Sequence, residues 1–306
     1  MSERVVLACS GGPAAAAAIG RLTGNAGAEV VAVAVDLGHG GEHPDAVRRR
    51  ALACGAVAAE VVDARDEFAD RYFLAALRAN TLPRPSALSR PLIVEHLVRA
   101  AARHGATTVA HTGDRGPIEA GVGALAPDLK VVAVDPGAEP ELPVQARRVL
   151  EPYDPDELVV TFDRGRPVAI DGETVTMRQA VRELNRRSGV ARTTTTWARE
   201  APGAVALVTA HRDLEDVTLE PDLARFKRRV ERRWAGLVHD GLWFSPLRQA
   251  LDGFLDHTQR HVSGEVRLVL RGGRAVVTDR RGEDPPPRPH PGHATPRDLP
   301  NQIAAK

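Results

Sequence analysis

The sequence predicts an α/β protein: an open parallel sheet in the first half of the chain, then a second domain of α+β construction. Two observations predict this division. In the first half, short apolar segments alternate with helix-forming segments over short connections, as expected for a parallel sheet covered by helices. Beyond residue 157 the order changes to hairpins separated by long helical segments, which is typical of an α+β domain.

The first predicted strand covers residues 5–8, a short apolar run of the kind buried on both faces of a parallel sheet. Ser10, Gly11 and Gly12 follow it, and a helix-forming alanine run begins at Pro13. Glycine lets the backbone turn sharply and approach a ligand closely, and proline suits the first turn of a helix. Because the amino end of a helix attracts anions, this turn is a candidate phosphate site; the alternative is that it only solves a packing problem.

The rest of the first domain repeats the alternation of strand and helix. Further strands are predicted at residues 29–36, 57–62, 107–111 and 129–134. Helices are predicted at residues 44–53, 67–79 and 91–104. Ligands of open α/β sheets bind in the crevice beyond the carboxyl ends of the strands. One shared site is therefore predicted from residues at those ends, namely Ala8, Ser10, Asp36 and His111.

Two of these residues allow a second interpretation. Asp36 could cap the turn after its strand instead of binding ribose or magnesium. His111 could be a strand-end histidine satisfied by the backbone instead of an acid or a base. The sequence leaves both alternatives open.

A segment rich in proline and acidic residues, 135–157, is expected to link domains at 1–134 and 158–283. In the second domain we predict strands at residues 158–162, 167–170 and 204–210 and a hairpin across 264–278. Helices are predicted at residues 176–187, 220–238 and 245–262. Trp243 and Phe244 are expected to pack at the start of the last helix. The proline-rich tail, 284–306, is expected to be disordered.

Composition narrows the class of protein. The 306-residue chain has a net charge of +1 and 43% hydrophobic residues, enough for a large core. Its arginines alternate with acidic residues, so no basic stripe predicts nucleic-acid binding. Cys9 and Cys54 show no metal-ligand spacing, and no metal site is predicted. The sequence shows no signal peptide and no apolar run of membrane-spanning length, so a cytoplasmic location away from the membrane is expected.

Six segments carry a family resemblance in chain order: VVLACSGG, AEVVAVAVDLG, SRPLIVEHLV, GALAPDLKVVA, EAPGAVALVTAHRDLEDVTL and GLWFSPLRQALDGFLDHTQRHVSGEVRLVLRGG. They resemble the argininosuccinate synthase family, and the last segment is the most specific. The resemblance implies an adenine nucleotide alpha-hydrolase-like domain with a PP-loop, followed by a synthetase-type domain. It also implies an ATP-dependent ligase of arginine biosynthesis. Such an enzyme adenylates citrulline with release of pyrophosphate, and the aspartate amine then displaces AMP.

The pyrophosphate loop of the family reads SGGLDTS. Here Ser10, Gly11 and Gly12 match, and the following PAAA lacks the family's carboxylate and hydroxyls. The resemblance therefore implies that the backbone cradle for phosphate is present while part of its side-chain chemistry is not.

The family's second loop, which contacts nucleotide and aspartate, shrinks here to HTGDRGPIE. Thr112 and Gly113 match its Thr-Gly pair, and Arg115 and Glu119 are candidate substrate contacts. Ser86 is the polar residue left where the family places a tyrosine and a Gly-Thr pair.

Three functions follow as hypotheses. The protein is a citrulline–aspartate ligase, or a non-catalytic relative that acts through a partner, or an adenylating enzyme for another acceptor. The missing substrate-binding residues count against the first. ATP, with Mg²⁺ as its companion ion, is the expected cofactor, and citrulline and aspartate or another small acceptor are the expected partners. A homo-oligomer is also expected, although the family's helical tail is absent.

Overall fold

A computed structural model describes residues 3–38, 43–113, 115–135, 155–188, 201–271 and 273–283. They form two five-stranded sheets, one from each half of the chain. The predicted combination of a parallel α/β part and an α+β part is therefore confirmed. Most of the expected linker and the whole tail, 284–306, lie outside the described residues.

The first sheet is parallel throughout. Its strands are β1 (Arg4–Ala8), β2 (Glu29–Asp36), β3 (Ala58–Asp63), β4 (Thr108–His111) and β5 (Lys130–Ala133). They stand in the order β3-β2-β1-β4-β5, so β1 is central, and its Val6 and Leu7 are fully buried. The five predicted strands match these to within one residue at either end. The sheet order brings the carboxyl ends of β1, β2 and β4 side by side.

Helices cover both faces of this sheet. They are α1 (Pro13–Ala26), α2 (Pro44–Ala53), α3 (Arg65–Glu67), α4 (Leu74–Arg78), α5 (Pro85–His104) and α6 (Arg115–Leu125), with a π-helical turn at Phe68–Phe73 between α3 and α4. Leu7 and Ile19 belong to the buried cluster on the α1 and α2 side. Val6 and Leu97 belong to the cluster on the α5 side. Residues on opposite faces of β1 thus pack into two separate cores, because successive side chains of a strand point to opposite faces of the sheet.

Two predictions for this half were wrong in detail. Helix α5 begins at Pro85 instead of residue 91, with Pro91 in its interior. The segment interpreted as a shortened loop after His111 contains helix α6, and Glu119 lies on that helix. Glycine and proline in its first turn hide the helical pattern, but Ile118 and Val122, four residues apart, are both buried.

The second sheet is antiparallel. Its strands are β6 (Asp156–Asp163), β7 (Arg166–Ile170), β8 (Glu173–Thr174), β9 (Gly264–Arg271) and β10 (Arg274–Gly282), in the order β10-β9-β6-β7-β8. The helices of this half are α7 (Met177–Arg187), α8 (Pro202–Thr218), α9 (Pro221–His239) and α10 (Pro246–Thr258). Side chains of Thr176, Glu220 and Ser245 accept amide hydrogen bonds at the starts of α7, α9 and α10. The two predicted hairpins and these three helices are confirmed.

The strand predicted at 204–210 was wrong, because these residues lie inside α8. An apolar run of this length does not distinguish a buried strand from a buried helix. Leu207, Ala210 and Leu214 are buried at helical spacing. Trp243 is buried as predicted, and its ring stacks on Tyr72 with centroids 4.8 Å apart. None of the described helices is both long and apolar enough to cross a membrane.

A buried polar cluster joins the two halves, and we call it the core network. It contains Asn80, His211, Glu215, Lys227, Glu231 and Gln259. Asn80 follows α4 of the first half, whereas the other members lie on helical segments of the second. Single hydrogen bonds of the network therefore join residues up to 151 positions apart in sequence, as from Asn80 to Glu231.

Candidate nucleotide site

A cleft of about 790 Å³ lies at the carboxyl edge of the first sheet. Most of the predicted nucleotide-binding residues line it: Ala8, Ser10, Asp36, His111, Thr112 and Gly113. The volume lies within the range of about 300–1,000 Å³ typical of small-molecule sites. The ends of β1, β2 and β4 thus meet at a single space, as the parallel topology requires.

The turn after β1 packs tightly against α2 and leads into an uncapped helix start. Gly11 has a φ of +80°, and a Cβ there would lie 2.9 Å from Val47 Cγ2, so only glycine fits. Gly12 precedes α1 without a capping side chain. The helix therefore begins with amide groups that no side chain of the cap residue satisfies, and its positive dipole end faces the turn.

Gly11 and Gly12 do not line the main cleft. They border a narrow recess beside it, closed by Val47 and Arg50 of α2. The Arg50 guanidinium donates a hydrogen bond to the Gly11 carbonyl oxygen, which holds the turn against α2. Cys9 borders both spaces, and burial raises the pKa of its thiol, so it is not an activated nucleophile.

The Asp36 carboxylate caps the turn after β2. Its Oδ1 atom accepts a hydrogen bond of 2.8 Å from the Gly38 amide. Its Oδ2 atom lies 3.8 Å from Arg65 Nε. These contacts favour the turn-capping interpretation over a ribose or magnesium ligand. His111 is 1% exposed at the end of β4, where it forms part of the cleft wall.

Arg65 supplies positive charge to the cleft. Its guanidinium hydrogen bonds to Asp63, with Nη2 2.5 Å from Oδ2, and this contact lowers the pKa of Asp63 to about 2. Asp63 therefore remains an anion at neutral pH and balances the arginine. Among the residues that the structure describes, no group of three or more His, Cys, Asp or Glu could hold a metal ion.

The predicted substrate contacts lie elsewhere. Ser86 is exposed in the first turn of α5, and Glu119 is exposed on α6; neither lines the cleft. Arg115 begins α6, and its side chain lies outside the described part of the protein. One turn after Ser86, Ser89 does line the cleft.

Sequence reasoning missed the opposite wall, which contains Arg178 and Arg182 of α7. Both belong to the second half of the chain. Their spacing of four residues places them on one helix face, and this was the only signal that the sequence offered. Nothing local indicates that α7 packs beside α3, where Arg178 Nε donates a 2.6 Å hydrogen bond to Asp66.

Sheet order, glycine turn and cleft together define a nucleotide-binding type of α/β protein joined to a second sheet. Comparison with known families identifies the family within this class. Residues 4–139 match the Arginosuccinate synthase N-terminal HUP domain, and residues 144–285 match the Arginosuccinate synthase C-terminal domain. The chain therefore belongs to the argininosuccinate synthase family, whose members are ATP-dependent ligases that bind citrulline and aspartate.

Among solved structures, one match is a 6-phospho-alpha-glucosidase from gut microorganisms in complex with NAD and glucose-6-phosphate. It shares 9% identity over 93% of this chain and 84% of that chain, with a TM-score of 0.26. A similarity this low carries no argument about fold or ligand.

Proposed function

We propose that this protein binds an adenine nucleotide in the cleft, with its phosphates at the Ser10–Gly11–Gly12 turn, and that it does not ligate citrulline to aspartate. The observation that carries the nucleotide proposal is the convergence of three strand ends on one cleft, which Ser10 also lines while Gly11 and Gly12 border the recess beside it. The uncapped start of α1 suits a phosphate group, since free backbone amides are what such a group needs.

Ser10 and Thr112 extend the proposal to side chains. Both residues line the cleft, and neither hydroxyl hydrogen bonds to a described residue. They are free to donate to phosphate oxygens. Asp36, by contrast, is committed to the Gly38 amide, so a Mg²⁺ ion that arrives with ATP would be held mainly by phosphates and water.

The proposed loss of ligase activity rests on the substrate side. Ala14 and Ala16 offer no polar atoms beyond the backbone at the start of α1. Ser86 and Glu119 lie away from the cleft lining. Without side chains that clamp both amino acids, attack on the α-phosphate loses the positioning on which such catalysis depends. The proposal includes a cytoplasmic location and a homo-oligomer.

Calorimetric titration tests the nucleotide proposal with ATP, ATP with Mg²⁺, AMP and adenosine. We expect ATP to bind more tightly than adenosine. The variants Ser10→Ala and Thr112→Ala should weaken ATP binding by about three- to tenfold, the equivalent of one neutral hydrogen bond each, without changing the melting temperature. Absence of ATP binding at millimolar concentration would refute the proposal.

A second assay tests the loss of ligation. Citrulline-dependent exchange of labelled pyrophosphate into ATP should stay at background even at high protein concentration. Exchange that requires citrulline would show a working ligase. Exchange that requires a different acceptor would support adenylation of that acceptor, a second candidate favoured by the arginines on the cleft wall.

A further inference from the structure

The lining of the cleft carries excess positive charge from three arginines. Arg65 lies on α3, and Arg178 and Arg182 lie on α7. Arg65 is paired with Asp63 and Arg178 with Asp66. Arg182 is exposed and makes no ion pair or hydrogen bond with any residue in the described ranges. Among the described arginines that line the cleft, it is therefore the one without an ion-pair partner in the described ranges.

Arg178 supplies further hydrogen-bond donors beside Arg182. Its Nε atom is fixed by Asp66 Oδ1 at 2.6 Å, and its side chain is only 27% exposed. Its terminal nitrogens form no other hydrogen bond to the described residues, so they are available to a ligand. Because the guanidinium is held in place, less rotamer entropy is lost when it binds.

The two arginines are one helical turn apart on α7 and line the same cleft. Arg182 also borders a neighbouring groove of about 670 Å³ along α7 and the β7–β8 turn. Two guanidinium groups at this spacing suit a planar anion with two or more oxygens, such as a carboxylate or a phosphate.

On the proposed nucleotide-binding function, we infer that Arg178 and Arg182 form an anion subsite for a second ligand, a small carboxylate or phosphate compound that binds beside the nucleotide. Residues at the strand ends bind the nucleotide, whereas arginines on α7, from the other half of the chain, bind the second ligand. Arg182 contributes the net charge and Arg178 the fixed orientation.

Binding of two probes, succinate and inorganic phosphate, tests the subsite by calorimetry on the full chain with and without saturating ATP. Arg182→Gln is compared with Arg186→Gln. Arg186 lies one turn further along α7, is paired with Glu183 at 2.9 Å and is absent from the cleft lining. We expect Arg182→Gln to raise the Kd of the bound probe about tenfold or more, since one charge-assisted contact is lost. The Kd for ATP should stay within about twofold, and Arg186→Gln should match wild type.

Three results would overturn the subsite: wild type binds neither probe, Arg182→Gln binds them as well as wild type, or Arg182→Gln weakens ATP as much as succinate. The last would place Arg182 on the nucleotide phosphates. If wild type fails to bind ATP, the nucleotide proposal fails, and the succinate and phosphate titrations without ATP still decide the subsite.

Discussion

The core network and the cleft use similar polar side chains in opposite ways. In the core network, Lys227 Nζ lies 2.9 Å from Glu215 and 2.6 Å from Glu231, and it is 1% exposed. In the cleft, Ser10 and Arg182 form no side-chain hydrogen bond to the described residues. A buried polar group must be satisfied by the protein itself, whereas a binding site keeps its hydrogen-bonding capacity for the ligand.

The core network also balances its charges. His211 Nδ1 lies 2.7 Å from Asn80 Oδ1, and Nε2 lies 2.7 Å from Gln259 Oε1. The nitrogens of both amides donate to carboxylates, so their oxygens face the ring and both ring nitrogens must donate. Burial lowers the pKa of His211, and the nearby Glu215 carboxylate offsets this only in part. The hydrogen-bond pattern favours the charged ring, and Lys227 and His211 then balance Glu215 and Glu231.

The largest effect is expected when Lys227 is replaced by methionine. The change leaves Glu215 and Glu231 buried without their nearest cation, which costs about 3–5 kcal/mol of unfolding free energy. Urea unfolding measures it. The control is Arg228→Gln, which breaks an exposed pair with Asp216 and should cost at most about 1 kcal/mol. Equal losses in both variants would show that the core network contributes no more than a surface pair.

A smaller loss is expected from Gly165→Ala. Gly165 has a φ of +71°, and a Cβ there would overlap Gln259 Oε1, so the network would have to shift. Backbone strain and overpacking together should cost about 2–4 kcal/mol. Gly172→Ala is the matched control, with a φ of +81° but no atom within 4 Å of the added carbon. Gly172→Ala should lose about 1 kcal/mol of unfolding free energy. Thermal unfolding measures both variants, and a loss for Gly172→Ala as large as that for Gly165→Ala would contradict the packing explanation.

A substitution at the rim of the cleft should change the unfolding free energy less. Asp63→Asn removes the exposed partner of Arg65 and should cost at most about 1 kcal/mol at pH 6. The folded pKa of Asp63, about 2, is below its ordinary value of 3.8, so its contribution is present above pH 3.8 and is lost as the pH falls towards 2. Unfolding curves of wild type and variant should therefore converge over that range. A difference that persists at pH 2 would rule out the carboxylate as its cause.

The smallest expected difference is one proton on His211. Nitrogen-15 NMR at pH 7 should show both ring nitrogens protonated, because each faces an oxygen acceptor. His257 is the comparison, since its ring is exposed on α10. A neutral ring at His211 would mean that burial outweighs the surrounding acceptors and that the network carries a net negative charge.

The sequence by itself determined the first sheet and its edge. Each strand is a short apolar run between turn residues, and Ser10, Asp36 and His111 lie at or just after the ends of strands that the parallel order brings together. The starts of α7, α9 and α10 were also predictable, because a cap acts on amides two or three residues away. The domain boundaries near residues 134 and 158 stay predictions.

Tertiary structure alone decided the rest. The run at 204–210 is compatible with strand or helix, and burial against the second sheet made it part of α8. Lys227 and Glu231 look like solvated helix residues until Asn80, about 150 positions earlier, closes the network around them. Arg182 became part of the cleft only because α7 packs beside α3. Contacts between distant segments leave no local pattern in the sequence, since they depend on how preformed elements pack rather than on which elements form.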